Sequence, residues 1–212
     1  MNIHKKLKFC AGFVLLGAVI SGSASANLQL STGLLGGSGD VQNVLLTDSV
    51  GVLDNQVVGE LNQTHELVNF SSNENIKSFG GGQARIEAAD GSFENIMWEL
   101  DDATLGFSKV QFNIDAGADG FANIFLLDQF GTTFSFLNQA LDGSGQNFFT
   151  GFSLDNQVIV KVTIDSTVGM TGIDDLQQVR LGPVGRTAVP EPATLALLGL
   201  GLLGISVVRR RS

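Results

Sequence analysis

Chemistry in this chain would have to come from its carboxylates. Between Asn27 and Ala188 twenty acidic side chains face six basic ones, a formal charge of −14, with one histidine and no cysteine among them. The densest run of oxygen donors is Asp115-Ala116-Gly117-Ala118-Asp119-Gly120, which opens like a calcium loop, with carboxylates on either side of a glycine turn. It departs from the helix-loop-helix calcium pattern at Gly117, which offers no side chain, and at Leu126, where the closing glutamate would stand. Asp115 and Asp119 are therefore weak candidate metal ligands and calcium the one candidate cofactor. The competing reading is a tight turn joining strands Val110–Ile114 and Phe121–Leu127. Asp101-Asp102 and Asp174-Asp175 read as further acidic loop pairs that folding could bring to the same site. Two carboxylates can also hydrolyse a glycosidic bond when their separation suits, but twenty acids make pairs inevitable and single out none.

The other catalytic constellations are missing parts. His65, in Asn62-Gln63-Thr64-His65-Glu66, would have to be the base of any Ser-His-Asp triad, and no nucleophile-elbow pattern accompanies it. It reads as a turn histidine. Without His-Glu-x-x-His or cysteine thiolates, zinc would need an all-carboxylate shell. Gly36-Gly37-Ser38-Gly39 and Gly80-Gly81-Gly82 lack the Lys-Ser/Thr of a phosphate loop and read as flexible loops. The acidic field repels nucleic acid, so no nucleic-acid partner is expected.

The two ends carry addresses. Lys5, Lys6 and Lys8 precede an uncharged apolar stretch from Phe9 to Ile20, and Ala24-Ser25-Ala26 follows. That is the three-part pattern of a signal peptide spanning 1–26, with Ala24 and Ala26 as the small residues read by signal peptidase and Asn27 as the new first residue. The stretch is well short of the roughly 20 residues that span a bilayer. Cys10, the only cysteine, sits at its start and leaves with it.

At the other end Val189-Pro190-Glu191-Pro192 precedes an uncharged apolar run from Ala193 to Val208, then Arg209-Arg210-Arg211. The prolines break the incoming chain ahead of a transmembrane helix, and the arginines act as a cytoplasmic stop. This orientation places 27–188 outside the cytoplasmic membrane. The ordered combination over 189–212 resembles the PEP-CTERM sorting signal of Gram-negative bacteria. The resemblance implies recognition by an exosortase, a membrane transpeptidase-like enzyme, with Pro190, Glu191 and Pro192 as its sorting motif and cleavage near them. It also implies a setting of exopolysaccharide and biofilm assembly. Phe70–Glu74, Gly81–Ala88 and Ile173–Leu181 are similar to segments of small PEP-CTERM proteins, and no catalytic residue follows from that likeness.

The elements that must position all this read as strands. Val158, Val160, Val162 and Ile164 alternate with Ile159, Lys161 and Thr163, and Val110, Phe112 and Ile114 alternate with Lys109, Gln111 and Asn113. Ile96, Trp98 and Leu100 form a third set. Further candidates are Val41–Leu46, Val57–Leu61, Glu66–Phe70, Ala84–Ala88, Thr132–Leu137, Asn147–Phe152 and Leu176–Leu181. Asp54-Asn55, Ala89-Asp90-Gly91, Asp119-Gly120 and Asp142-Gly143 supply turns. Fifteen phenylalanines without a tyrosine suit a core better than a wet sugar platform. The expected fold is all-β, one antiparallel, jelly-roll-like β-sandwich over 27–188. The expected function is a non-enzymatic cell-surface or matrix protein that passes through an inner-membrane intermediate and associates with exopolysaccharide. The alternatives are a calcium-assisted carbohydrate-binding module and a secreted glycan hydrolase.

Overall fold

The computed structural model describes residues 27–36, 38–46, 54–79, 85–91, 95–154, 157–166 and 173–187. Twelve strands follow one another: β1 Leu28–Thr32, β2 Gln42–Leu45, β3 Asp54–Leu61, β4 Leu67–Phe79, β5 Arg85–Ala88, β6 Asn95–Leu100, β7 Leu105–Ala116, β8 Gly120–Asp128, β9 Thr133–Leu141, β10 Gln146–Ser153, β11 Ile159–Ser166 and β12 Ile173–Arg186. A short 3-10 turn at Ser38–Asp40 is the one helical element among the described residues. Every pairing is antiparallel.

The expected sandwich is overturned. Seven strands close into a barrel in the order β7-β12-β2-β3-β4-β6-β11, and β11 returns to β7 through the pair Ile159 and Phe107. Outside the ring, β10 and then β1 extend from β7, while β8 and then β9 extend from β11. β5 fills part of the gap between the two longest strands, pairing Ile86 with Leu176 of β12 and with Ser78 of β4. Closure depends on close backbone approach at the seam. A Cβ on Gly106 would meet the Ile159 carbonyl oxygen at 2.9 Å and a Val158 methyl at 2.7 Å. Alternation of apolar and polar residues is the same for a sandwich face and a barrel wall, so it does not report this closure.

The interior is one continuous core. Phe70, Trp98, Phe112 and Phe149 form an aromatic row through it: Trp98 lies 6.1 Å from Phe70 and edge-on to Phe112 at 5.2 Å, and Phe112 stacks on Phe149 at 5.7 Å. Trp98 points inward as its alternation with Ile96 and Leu100 predicts, and all three are buried. β8 lies between β11 and β9, which fits its largely apolar sequence; β9 is an open edge with Leu137 exposed. Among the described residues no helix is long and apolar enough to cross a membrane, and the expected transmembrane run after Ala193 lies outside them.

Candidate functional site

The described chain ends where the sorting tail begins, and that end of the barrel is built with care. β12 runs alongside β7 until Arg186 pairs with Leu105. One residue further, the Thr187 amide donates to the Thr104 carbonyl at 2.9 Å and its hydroxyl donates to the same oxygen at 3.1 Å. The Asp101–Thr104 turn that receives them is itself braced. Asp102 Oδ1 accepts from the Thr104 amide at 2.8 Å and hydroxyl at 2.7 Å. Asp101 Oδ1 accepts from Asn69 Nδ2 at 2.8 Å, and the Asp101 amide donates to the Leu67 carbonyl at 2.9 Å.

Beside this turn lies a cleft of about 380 Å³, with Glu99, Asp101, Asp128, Gln129 and Thr187 on its wall. Glu99 is paired with Lys161 at 3.0 Å. Asp128 is 1% exposed; its Oδ1 accepts from the Phe130 and Thr132 amides at 2.9 and 2.7 Å, which ties down the β8–β9 turn. Its Oδ2 is buried without a hydrogen-bond partner. The cleft thus offers acceptors and few free donors, with an apolar floor that includes Leu105 and Val160.

The loop expected to open a calcium site is divided at the opposite end. Asp115 is within strand β7 and not in a loop; its Oδ2 accepts from Gln177 Nε2 at 3.2 Å. Asp119 stands in the Gly117–Asp119 turn, and its Oδ1 accepts from the Gly143 amide at 2.9 Å, bracing the neighbouring β9–β10 turn. The two carboxylates therefore serve different elements. Among the described residues no group of three or more His, Cys, Asp or Glu side chains is arranged to hold a metal ion. Asp174 and Asp175 belong to strand β12 instead of the expected loop. His65 occupies the β3–β4 turn at a positive φ of 64°, with its Nδ1 against Glu60 Oε1, as a turn histidine would.

Two exposed carboxylates show how the acidic residues are used. The Thr104 hydroxyl and then the Thr104 amide hold Asp102 below the ordinary carboxylate value, with a smaller pull from Arg186. The Ser144 amide and then its hydroxyl do the same for Asp142. A carboxylate whose folded-state pKa is lowered contributes stability above its unfolded value, and that contribution is lost as pH falls through the lower folded value. The Thr104 and Ser144 amide resonances should therefore titrate with midpoints below 3.8. Asp102→Asn should abolish the first and spare the second. Midpoints at or above 3.8 would show that these turns are not held by the ionised side chains.

Of the residues singled out in the sequence, Ala24, Ala26, Pro190, Glu191, Pro192, Arg209, Arg210 and Arg211 lie outside the described residues. The clamp formed by Thr104 and Thr187, and the buried carboxylate of Asp128, carry no sequence motif. The nearest sequence signals are the acidic pair Asp101-Asp102, which reads as a loop, and the Asp-x-Thr spacing at Asp102 and Thr104, which suits a turn.

The barrel's last strand thus hands the chain directly to a C-terminal sorting segment, which defines an exported protein with an addressed tail. Residues 188–211 match the family model of the PEP-CTERM protein-sorting motif, and the chain carries that motif. The motif marks a protein that is exported and sorted by an exosortase toward the cell surface, with that enzyme as its processing partner. No curated protein matches the chain.

Proposed function

We propose that this chain is a non-enzymatic component of the cell surface or extracellular matrix, delivered by the exosortase and associated there with exopolysaccharide. The PEP-CTERM match over 188–211 carries the delivery half of the reading. What supports binding over turnover is the use to which the acids are put. Asp102, Asp119, Asp128 and Asp142 each accept backbone amides through Oδ1 in turns, so one oxygen of each carboxylate is committed to holding a loop. The carboxylate- and amide-lined cleft beside Asp101 has the acceptor-rich wall that sugar hydroxyls require.

Delivery is tested by mass spectrometry of the protein from its own host and from one lacking the exosortase. In the native host the surface form should begin at Asn27, after Ala26, and should lack Ser212. In the other host the chain should begin at Asn27 but keep Ser212 and stay with the inner membrane. Intact Met1 on surface material would remove the signal-peptide reading, and identical C-termini in both hosts would remove exosortase delivery. Association is tested by co-sedimentation of the barrel with the host's purified exopolysaccharide. A bound fraction that falls on Asp101→Ala is expected, and no bound fraction would leave only the delivery half.

A further inference from the structure

We infer that the barrel end bearing the Asp101–Thr104 turn is a contact surface for the sorting enzyme, so the folded domain itself is part of what that enzyme meets. This rests on the exosortase reading above. The chain is pinned up to Thr187 by its two bonds to the Thr104 carbonyl, and the matched motif begins at the next residue. An extended chain covers at most about 3.5 Å per residue, so Pro190 is within roughly 10 Å of the clamp and Ala193 within roughly 21 Å. A folded enzyme about 30 Å across that closes on residues 190–192 has no room to avoid the barrel.

Only one end is available to it. β7 runs from Leu105 at the clamp to Ala116, a rise of roughly 35 Å, so the Gly117–Asp119 and Asp142–Gly145 turns face away. The mature N-terminus returns to the clamped end: Asn27 donates to Gln157 Oε1 at 3.0 Å, and its carbonyl accepts from the Leu154 amide at 2.9 Å, beside the seam at Phe107 and Ile159. The signal peptide and the sorting tail are thus attached at the same end, and both direct it toward the membrane. That end presents the exposed carboxylates of Asp101 and Asp102, with Arg186 near Asp102 and Glu99 paired with Lys161. The complementary partner is a protein face supplying cationic or N–H donors.

Cysteine labelling tests the contact, because removal of the signal carries away Cys10, the only cysteine. Ala103 and Ala118 are exposed alanines at opposite ends of β7. Full-length Ala103→Cys and Ala118→Cys chains would be labelled with a membrane-impermeant maleimide in three hosts: native, lacking the exosortase, and carrying a catalytically inactive exosortase. Ala103→Cys should react at least tenfold more slowly with the inactive enzyme than in the other two hosts, while Ala118→Cys reacts equally in all three. Twenty Gly/Ser residues inserted between Thr187 and Ala188 should remove the protection. Equal labelling of Ala103→Cys in all hosts overturns the contact. So does slow labelling already in the host without the enzyme, which would assign the cover to the membrane. Processing of the wild-type chain in the native host is followed alongside. If the tail is never cleaved there, the sorting reading fails; if it is cleaved while labelling is unchanged, only the contact fails.

Discussion

Trp98→Ala should cost the barrel about 3–5 kcal/mol, the usual loss for a fully buried tryptophan, against a total of about 5–15 kcal/mol for an ordinary domain. Trp98 has no exposed surface and sits between Phe70 and Phe112 in the aromatic row. Truncation would leave Phe70 and Phe112 facing a void that the closed wall of strands cannot collapse to fill. Trp98→Phe should lose far less. The indole Nε1 is buried without a hydrogen-bond partner, so the phenyl ring gives up volume but also removes an unsatisfied donor that costs about 1–3 kcal/mol. Urea unfolding followed by circular dichroism on residues 27–188 would rank wild type and Trp98→Phe close together, with Trp98→Ala far below. If Trp98→Ala unfolds at the wild-type midpoint, the aromatic row is not the centre of the core.

Trp98's inward place in that row was readable from the sequence because β6 is regular: Ile96, Trp98 and Leu100 keep a strict period of two. β11 shows where such reading stops. Its alternation predicts Val158, Val160, Val162 and Ile164 on the inner face, yet Ile159 is fully buried and Val160 only half-buried. A register shift against β8 between Ile159 and Lys161 explains it, since one extra residue exchanges the faces upstream of the bulge. Asp54-Asn55, turn chemistry on composition, lies instead inside β3, where Asp54 pairs with Ile76. On β7 the supposed polar face is covered as well. Gln111 and Asn113 are both buried, and over Gln111 lies the Gly33–Leu35 segment, fixed by Gln111 Nε2 to the Leu35 carbonyl at 2.9 Å and by Thr150 Oγ1 to the Gly33 carbonyl at 2.7 Å. Side-chain polarity predicted exposure, and a third layer made of loop removed it.

The candidate sites divide along the same line. A linear motif such as the tail is legible because its function depends on chain order: prolines, apolar run, arginines. The Asp101 cleft gathers residues from β4, β6, β7, β8 and β11 with two turns and Thr187, and no local pattern records which strands become neighbours once a barrel closes. Asp115 and Asp119 are the opposite case. They are close in sequence, but the end of β7 falls between them, so one belongs to the wall and the other to a turn.

Replacing Pro190, Glu191 and Pro192 together with alanine should abolish processing while leaving export intact. The expected signal peptide, the barrel and the apolar run are untouched, so on the proposed reading the variant should still leave the cytoplasm and be held by the run from Ala193 to Val208, with Arg209, Arg210 and Arg211 as its stop. What changes is the short stretch between the Thr187 clamp and that segment. Proline restricts φ to near −65° and lacks a backbone donor, so the sequence at 190 and 192 disfavours helix. Alanine is the best helix former, so the substitution lifts that restriction and also removes the only charge of the Pro-Glu-Pro stretch. Both the shape and the charge an enzyme would read are lost together. The variant should accumulate as an unprocessed, membrane-bound form, at least tenfold depleted from the surface by quantitative immunoblot of fractions. In a host without the exosortase, wild type and variant should be indistinguishable. Normal trimming and delivery of the variant in the native host would reduce the tail to a plain anchor. Restoring the prolines alone then separates the contributions: recovery without Glu191 would mean that the enzyme reads the extended backbone, and no recovery would mean that it reads the carboxylate.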